Sequence, residues 1–238
     1  MLEYGMLESL NIEFLNLNAR EKNITQDDSV SLTSYSPNGV EATMTSEIVI
    51  VSGLPRSGTS LMCQMLENGG IEVVTDSIRT PDTDNPRGYF ELEKVKKIKE
   101  DASWLPETRG KAFKMVSQLL YNLPATERYR VIFMQRDLDE MLTSQEKMLE
   151  RLGRPAAPRE IVRQNFVTHL DRLHRMLDEQ PHIAVLRVDY KSLVERPGEM
   201  AEVVNNFLGN RGDIGRMAAS VDPSLYRNRK PADAGETS

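Results

Sequence analysis

The stretch IVIVSGLPRSGTSLMCQMLENGG, residues 48–70, decides the fold that this sequence predicts. Its first residues are apolar and mostly β-branched up to Gly53, which is the pattern of a buried strand. Residues 59–69 then place four large apolar side chains at helical spacing and end at two glycines, a suitable helix stop. The order of strand, glycine-bearing turn and helix predicts the opening unit of an α/β domain.

The rest of the chain continues this alternation of strand and helix. Three further strand candidates are KAFKMV (111–116), VIFM (131–134) and IAVLRV (183–188). Helical stretches are predicted at 137–152, 159–179 and 191–208. The apolar side of the second of these carries Ile161, Val162, Phe166, His169, Leu170, Leu173 and Leu177. The alternation predicts a single-domain α/β fold with a central, mostly parallel sheet flanked by helices.

The 238 residues suit one domain of ordinary size. Residues 1–46 are polar and weakly patterned, so we expect a disordered or loosely packed leader there. The folded domain is then expected over 47–230 and a disordered tail over 231–238. Met44 lies just before the first strand and is an alternative translation start.

Composition predicts a soluble protein of the cytoplasm. The chain is 39% apolar and 28% charged, and no apolar run approaches the roughly 18 residues of a membrane span. Glu3 and Glu8 stand where a secretory signal carries basic residues. The single cysteine, Cys63, excludes an internal disulfide and fits a reducing compartment, with a buried structural role. The net charge of −6 argues against nucleic acid as a partner.

The turn after the first strand, GLPRSGTS at 53–60, predicts a phosphate cradle. Backbone N–H groups at a helix N-terminus and the helix dipole favour an anion there. The spacing is that of the nucleotide-triphosphate P-loop, GxxxxGK[ST], but Thr59 replaces the lysine and Arg56 places a cation inside the loop. A nucleotide with a single 5′-phosphate and a neighbouring reactive group fits this arrangement better than ATP. A turn without a ligand is the alternative.

This loop resembles the PKSGTT or PRSGTT loop of the sulfotransferases that use PAPS (3′-phosphoadenosine-5′-phosphosulfate). The resemblance, to the bacterial-type branch, implies that the 5′-phosphosulfate is held by Pro55, Arg56, Ser57, Gly58, Thr59 and Ser60. It assigns to Arg56 the stabilisation of the leaving bridging oxygen. It also implies a P-loop fold, PAPS as co-substrate, adenosine 3′,5′-bisphosphate as product, and no metal.

Three further segments carry the same resemblance. In QRDLDEMLTS (135–144), Arg136 and Ser144 hold the places of the arginine and serine that bind the 3′-phosphate, and two helical turns can bring both towards one anion. Residues 188–197 resemble the family segment with a tyrosine near adenine, which assigns Tyr190 there. A basic stretch near the C-terminus closes on the 3′-phosphate in the family. Its counterparts here are Arg227, Arg229 and Lys230, with solvated tail charges as the alternative.

Sulfuryl transfer to a hydroxyl or amine needs a base for the acceptor proton. Family members use a His or Glu between the loop and the 3′-phosphate segment, whereas all three histidines here follow Ser144. The segment DTDNPRGYFE (82–91) resembles the N-P-x-G-Y-F-E run of bacterial sulfotransferases. We therefore predict Glu91 as the base, with Asp84 and Asp76 as alternatives, and a surface charge as the other interpretation of each.

The predicted function is transfer of a sulfuryl group from PAPS to an unidentified small-molecule or carbohydrate acceptor. A P-loop kinase or hydrolase is one rival, although the missing lysine and the lack of a clear strand-end Asp for Mg²⁺ weigh against it. A nucleotide-binding protein without turnover is the other.

Overall fold

The computed structural model describes residues 46–76 and 88–226. Its strands are β1 (Ile48–Gly53), β2 (Ala112–Val116), β3 (Tyr129–Gln135) and β4 (Ile183–Asp189). They form one sheet in the order β2-β1-β3-β4, and every pair is parallel. The predicted leader before Ser46, Asp84 and the basic residues 227–230 lie outside the described residues.

The strands end along one edge of the sheet. Gly53, the last residue of β1, lies opposite Val116 of β2 and Met134 of β3. Gln135 of β3 lies opposite Asp189 of β4. Ligands of open parallel sheets bind outside this carboxyl edge, so the segments that leave it define the candidate site.

Helices cover both faces of the sheet, as the sequence predicts. The α-helices are α1 (Thr59–Asn68), α2 (Glu93–Lys96), α3 (Leu138–Arg151), α4 (Arg159–Glu179), α5 (Tyr190–Glu195), α6 (Pro197–Phe207) and α7 (Ile214–Ala219). Short 3₁₀ helices cover Leu105–Thr108, Ser117–Asn122 and Pro223–Leu225. Alternate strand residues point to opposite faces, so Val49 and Val51 pack with α1 and α5 to α7 while Ile48 and Ile50 pack with α4.

The fold confirms the predicted α/β class and corrects two details. The stretch predicted as one helix at 191–208 is two helices, because Pro197 restricts the residue before it and Arg196 leaves the helical region at φ −134°, ψ 59°. Ile161, predicted on the buried side of α4, is 49% exposed. It lies about 100° around the helix from Val162, on the flank of the buried stripe.

Cys63 lies in α1 and is fully buried, in agreement with a structural role. Burial raises the pKa of its thiol to about 12, so the reactive thiolate is scarce at neutral pH. Within residues 46–76 and 88–226, no helix has the length and apolarity needed to cross a bilayer.

Candidate functional site

Two glycines shape the loop between β1 and α1. A Cβ at Gly53, whose φ is 155°, would lie 2.4 Å from Ser57 Oγ and 2.8 Å from the Met134 carbonyl oxygen. A Cβ at Gly58, whose φ is 100°, would lie 2.4 Å from the ring of Tyr190. Both positions therefore need glycine for close approach as well as for backbone conformation. The loop is pressed against β3 on one side and α5 on the other.

The N-terminus of α1 suits an anion. The helix starts at Thr59 after Gly58, and no side chain caps its first N–H groups. Ser57 is 1% exposed, and its Oγ has no hydrogen-bond partner among the described residues. A buried polar atom of this kind calls for a ligand or water. Uncapped N–H groups, the helix dipole and an unpaired buried hydroxyl together fit a phosphate.

Arg56 occupies the middle of the loop in a left-handed conformation, with φ 68°. Such a conformation in a non-glycine residue persists only where surrounding contacts enforce it. Here the Arg56 carbonyl accepts a hydrogen bond from Arg136 Nη1 at 3.2 Å, and Arg56 Nε donates to Ser144 Oγ at 3.0 Å. The two residues predicted to bind the 3′-phosphate thus both contact the loop arginine.

Arg136 is held in a buried ion pair. Its Nε donates to Glu140 Oε2 at 3.0 Å, and the two side chains are only 9% and 7% exposed. The guanidinium carbon lies 4.5 Å from the ring centroid of Tyr190 and 5.2 Å from that of Tyr226. The Tyr226 hydroxyl donates to the other Glu140 oxygen at 2.8 Å. Two of the three guanidinium nitrogens therefore donate to protein acceptors in this structure.

Tyr190 packs beneath the loop at the start of α5. It is 7% exposed, and its ring meets that of Tyr226 edge to face at 5.2 Å. Burial, followed by the bond to Glu140, raises the pKa of Tyr226, so its hydroxyl remains a donor at neutral pH. The predicted contact of Tyr190 with adenine stays a prediction. What the structure adds is that Tyr190 supports the backbone at Gly58.

The remaining loop residues lie at the start of the helix. Pro55 is half-buried, and Thr59 and Ser60 are the first two residues of α1. Ser60 Oγ donates to the backbone carbonyl of Tyr89 at 3.5 Å. This contact joins the loop to the segment Gly88–Glu91, where the predicted base lies.

Glu91 is half-buried, and its backbone carbonyl accepts hydrogen bonds from Thr75 Oγ1 at 2.8 Å and from the Asp76 N–H at 3.1 Å. Asp76, the alternative base, accepts the Glu93 N–H through Oδ2 at 2.6 Å, at the start of α2. The Asp76 carboxylate therefore already stabilises the N-terminus of α2. Asp84 lies outside the described residues.

The histidines lie in helix and turn: His169 and His174 are in α4, and His182 is in the turn before β4. His169 Nε2 lies 2.9 Å from Ser117 Oγ, just past the carboxyl end of β2. Burial, with His174 and Arg172 nearby, lowers the pKa of His169 to about 4, so the ring is neutral at pH 7.

Three residues of the site were missed by sequence reasoning. Lys114 lies in the otherwise apolar β2 and donates to the Tyr89 carbonyl. A lysine inside a buried strand was a usable signal. Glu140 follows Arg136 by four residues on a helix, which also signals a pair. Nothing in the local sequence marks Tyr226, because its partner is 86 residues away.

A small cavity lies beside the loop, between the end of β3, α3 and α4. Its volume is about 110 Å³, and it is lined by Leu54, Phe133, Met134, Gln135, Arg136, Met141 and Leu170. In the part of the chain that the structure describes, no three His, Cys, Asp or Glu side chains are grouped so as to hold a metal ion.

No protein-family model and no curated protein matches the chain. Solved structures do. The sulfotransferase domain of the curacin biosynthetic pathway is 16% identical, with a TM-score of 0.44, over 80% of this chain and 94% of that one. The corresponding domain of the Synechococcus PCC 7002 olefin synthase is 15% identical, with a TM-score of 0.47, over 78% and 89%.

A sugar kinase from Janibacter sp. HTCC2649 also matches, at 12% identity and a TM-score of 0.37, over 74% of this chain and 99% of that one. The neighbours thus include both sulfotransferases and a kinase, and their likeness to this chain does not extend to one reaction.

Proposed function

We propose that this protein transfers a sulfuryl group from PAPS to a hydroxyl or amine of an acceptor. The observation that carries the proposal is the position of Arg56. A P-loop-like cradle contains an arginine in its middle, held by Arg136 through its carbonyl and by Ser144 through its guanidinium. Thr59 stands where a triphosphate-binding loop has its lysine. The cradle therefore favours a single phosphate whose leaving oxygen faces an arginine.

On the donor side, the N-terminal N–H groups of α1 and the hydroxyl of Ser57 would bind the 5′-phosphate. PAPS supplies the activated sulfuryl group. The guanidinium of Arg56 would meet the bridging oxygen, where negative charge develops as the S–O bond breaks. The bond from Arg56 Nε to Ser144 Oγ helps to fix the orientation of the guanidinium plane beside the cradle.

The 3′-phosphate would be bound by Ser144 and by Nη2 of Arg136. The other two guanidinium nitrogens, Nε and Nη1, donate to Glu140 and to the Arg56 carbonyl. The Glu140 carboxylate and the tyrosine rings hold this guanidinium in one orientation. Arg227, Arg229 and Lys230 are proposed to contribute from beyond the described residues, and Tyr190 to lie near adenine.

On the acceptor side, Glu91 is the proposed base. Its segment is attached to α1 through Ser60 and Tyr89, which keeps it beside the loop. Asp76 is the weaker candidate because a helix N-terminus uses its carboxylate. The mechanism would be in-line attack of the acceptor oxygen or nitrogen on sulfur, while the S–O bond to the 5′-phosphate breaks. The acceptor proton would pass to Glu91, and Arg56 would stabilise the negative charge left on the departing phosphate oxygen.

Thermal unfolding with nucleotides tests the donor. Adenosine 3′,5′-bisphosphate fills both proposed phosphate sites, so at 100-fold excess over its Kd it should stabilise the protein by about 2.7 kcal/mol. AMP and ATP at equal concentration should stabilise it much less, with or without EDTA. Equal stabilisation by ATP that depends on Mg²⁺ would favour the kinase.

Turnover is tested with labelled PAPS and a panel of phenols, primary alcohols, amines and sugars, followed by mass spectrometry of the product. Transfer should continue in EDTA. Binding of the bisphosphate without transfer to any acceptor, in the panel or in a cell extract, would support the non-catalytic alternative.

A further inference from the structure

Lys114 is the charged residue of β2, whose other members are apolar. It pairs in register with Val51 of β1 and is half-buried. On the side of β2 away from β1, Val73 forms a bridge to Ala112. Placing an ammonium group here is costly unless it reaches a polar partner.

The partner is the backbone of the Gly88–Glu91 segment. Lys114 Nζ donates to the Tyr89 carbonyl and lies 5.9 Å from the centroid of the Tyr89 ring. Ser60 Oγ, from the first turn of α1, donates to the same carbonyl at 3.5 Å. One carbonyl therefore receives hydrogen bonds from the central sheet and from the helix that carries the loop.

The backbone on either side of Tyr89 is unusual. Gly88 has φ 98°, and Phe90 has φ 53°, a left-handed conformation that a phenylalanine adopts only under constraint. One residue later, the Glu91 carbonyl is bound by Thr75 and Asp76. The chain is thus fixed at Tyr89 and at Glu91, with the strained Phe90 between them, and this sets the direction in which the Glu91 side chain leaves the backbone.

We propose that Lys114 is a positioning residue for Glu91: by holding the Tyr89 carbonyl against β2 and α1, it orients the carboxylate that takes the acceptor proton. The inference rests on the proposed function, in which Glu91 is the base. Lys114 acts through the backbone of residues 89–91, and its effect on catalysis passes through Glu91.

Kinetics of Lys114→Met test this role, with Lys111→Met as the matched control. Lys111 lies just before β2 and forms an exposed ion pair with Glu72 at 2.7 Å. With labelled PAPS and the panel acceptor that the wild type uses fastest, Lys114→Met should lower kcat by about 10- to 100-fold, as a misplaced catalytic group does. KM for PAPS should stay unchanged. Lys111→Met should keep wild-type turnover, and Lys114→Arg should restore part of the loss.

A double-mutant cycle separates positioning from direct action on the donor. In a Glu91→Gln background there is no base left to orient, so adding Lys114→Met should cause no further loss in kcat. Multiplying losses would mean that Lys114 acts on the sulfuryl group itself, which overturns the inference. Normal turnover of Glu91→Gln overturns it as well. If Lys114→Met does not fold, Lys114→Gln takes its place in the same cycle.

Hydrogen exchange gives a readout independent of activity. Amides of residues 88–93 should exchange at least about 10-fold faster in Lys114→Met and at the wild-type rate in Lys111→Met, since local opening follows the loss of local contacts. Unchanged exchange in Lys114→Met would overturn the inference while leaving the proposed function in place. If exchange is faster in Lys114→Met but the wild-type protein neither binds the bisphosphate nor consumes PAPS, the proposed function is refuted instead.

Discussion

The proposed donor side of the site and its proposed acceptor side are held in place by different means. On the donor side, a network of buried side chains surrounds the loop arginine, and the Arg136–Glu140 pair is less than one-tenth exposed. On the acceptor side, hydrogen bonds are made to the backbone carbonyls of Tyr89 and Glu91, and the Tyr89 side chain is buried as well. One side depends on a buried ion pair, and the other on hydrogen bonds to main-chain carbonyls.

This difference predicts different responses to mutation. A buried charge cannot lose its partner without a cost in folding, so changes on the donor side affect stability together with nucleotide binding. A segment attached through carbonyls can be disturbed while the core stays intact. The acceptor side should therefore show kinetic effects in proteins of normal stability.

The largest expected effect is on the acceptor side. Glu91→Gln keeps the size and hydrogen-bonding shape of the side chain but removes the proton acceptor, so kcat should fall about 10²- to 10⁴-fold. Affinity for adenosine 3′,5′-bisphosphate, measured by calorimetry, should stay nearly unchanged. The melting temperature should also stay near that of the wild type.

Two control variants sharpen this result. Asp76→Asn should keep most of its turnover, because its carboxylate binds the Glu93 N–H. His169→Gln tests the imidazole that α4 places against Ser117. If Glu91→Gln turns over normally and His169→Gln does not, the base is the histidine, and the acceptor approaches from the α4 face of the sheet.

On the donor side, Arg56→Ala and Arg136→Ala should change different kinetic constants. Arg56→Ala removes a charge that acts as the S–O bond breaks, so kcat should fall about 10²- to 10³-fold. Arg136→Ala should raise KM for PAPS, since a 3′-phosphate is bound alike in ground and transition states. It should also lower the free energy of unfolding by about 3–5 kcal/mol, because Glu140 stays buried without its counter-charge.

The double variant Arg136→Ala, Glu140→Ala checks the stability effect. Removing the second charge should recover part of the lost free energy of unfolding without recovering donor affinity. Identical kinetic profiles for Arg56→Ala and Arg136→Ala would contradict the assignment of the two phosphate sites.

The smallest expected effect concerns acid stability. His169 has a folded-state pKa of about 4, below the ordinary value of 6.5, because burial disfavours its charged form. Between these two pH values the unfolded chain binds more protons at His169 than the folded chain does. The titration of His169 therefore does not lower the free energy of unfolding above pH 6.5, and it lowers it progressively as the pH drops to 4. The loss from this residue should be on the order of 3 kcal/mol. Urea unfolding at several pH values measures it.

His169→Gln should flatten this pH dependence, because glutamine can still meet Ser117 but does not titrate. His182→Gln serves as the control, since that side chain is less buried. An unchanged slope in His169→Gln would mean that other groups cause the acid sensitivity.

Elements with a strong local pattern were predictable from the sequence. The strand, loop and helix at 48–70 and the helix at 159–179 have the bounds that periodicity and glycine positions indicate. The location of the site at the carboxyl edge of the sheet was also predictable, because parallel strands place the segments after β1 and β3 side by side. Local pattern therefore accounts for the sheet and for the meeting of Arg56 with Arg136.

The partners of the site residues were not predictable, because they come from distant parts of the chain. The spacing of Arg136 and Ser144 indicates a shared anion, whereas in the structure their described contacts include Glu140 and Arg56. Side-chain pairing of this kind depends on rotamers and burial, which a linear pattern does not carry. The same applies to His169, whose position after Ser144 in sequence gave no sign of its contact with Ser117.

The Tyr226–Glu140 bond has a consequence for the order in which a nascent chain matures. The loop leaves the ribosome before β2 and β3, so the sheet can begin to assemble around β1. Arg136 then waits for Tyr190 and, later still, for Tyr226 before its guanidinium is enclosed. Competence to hold the proposed nucleotide should therefore arise only after Tyr226 has emerged, well after the glycine turn itself.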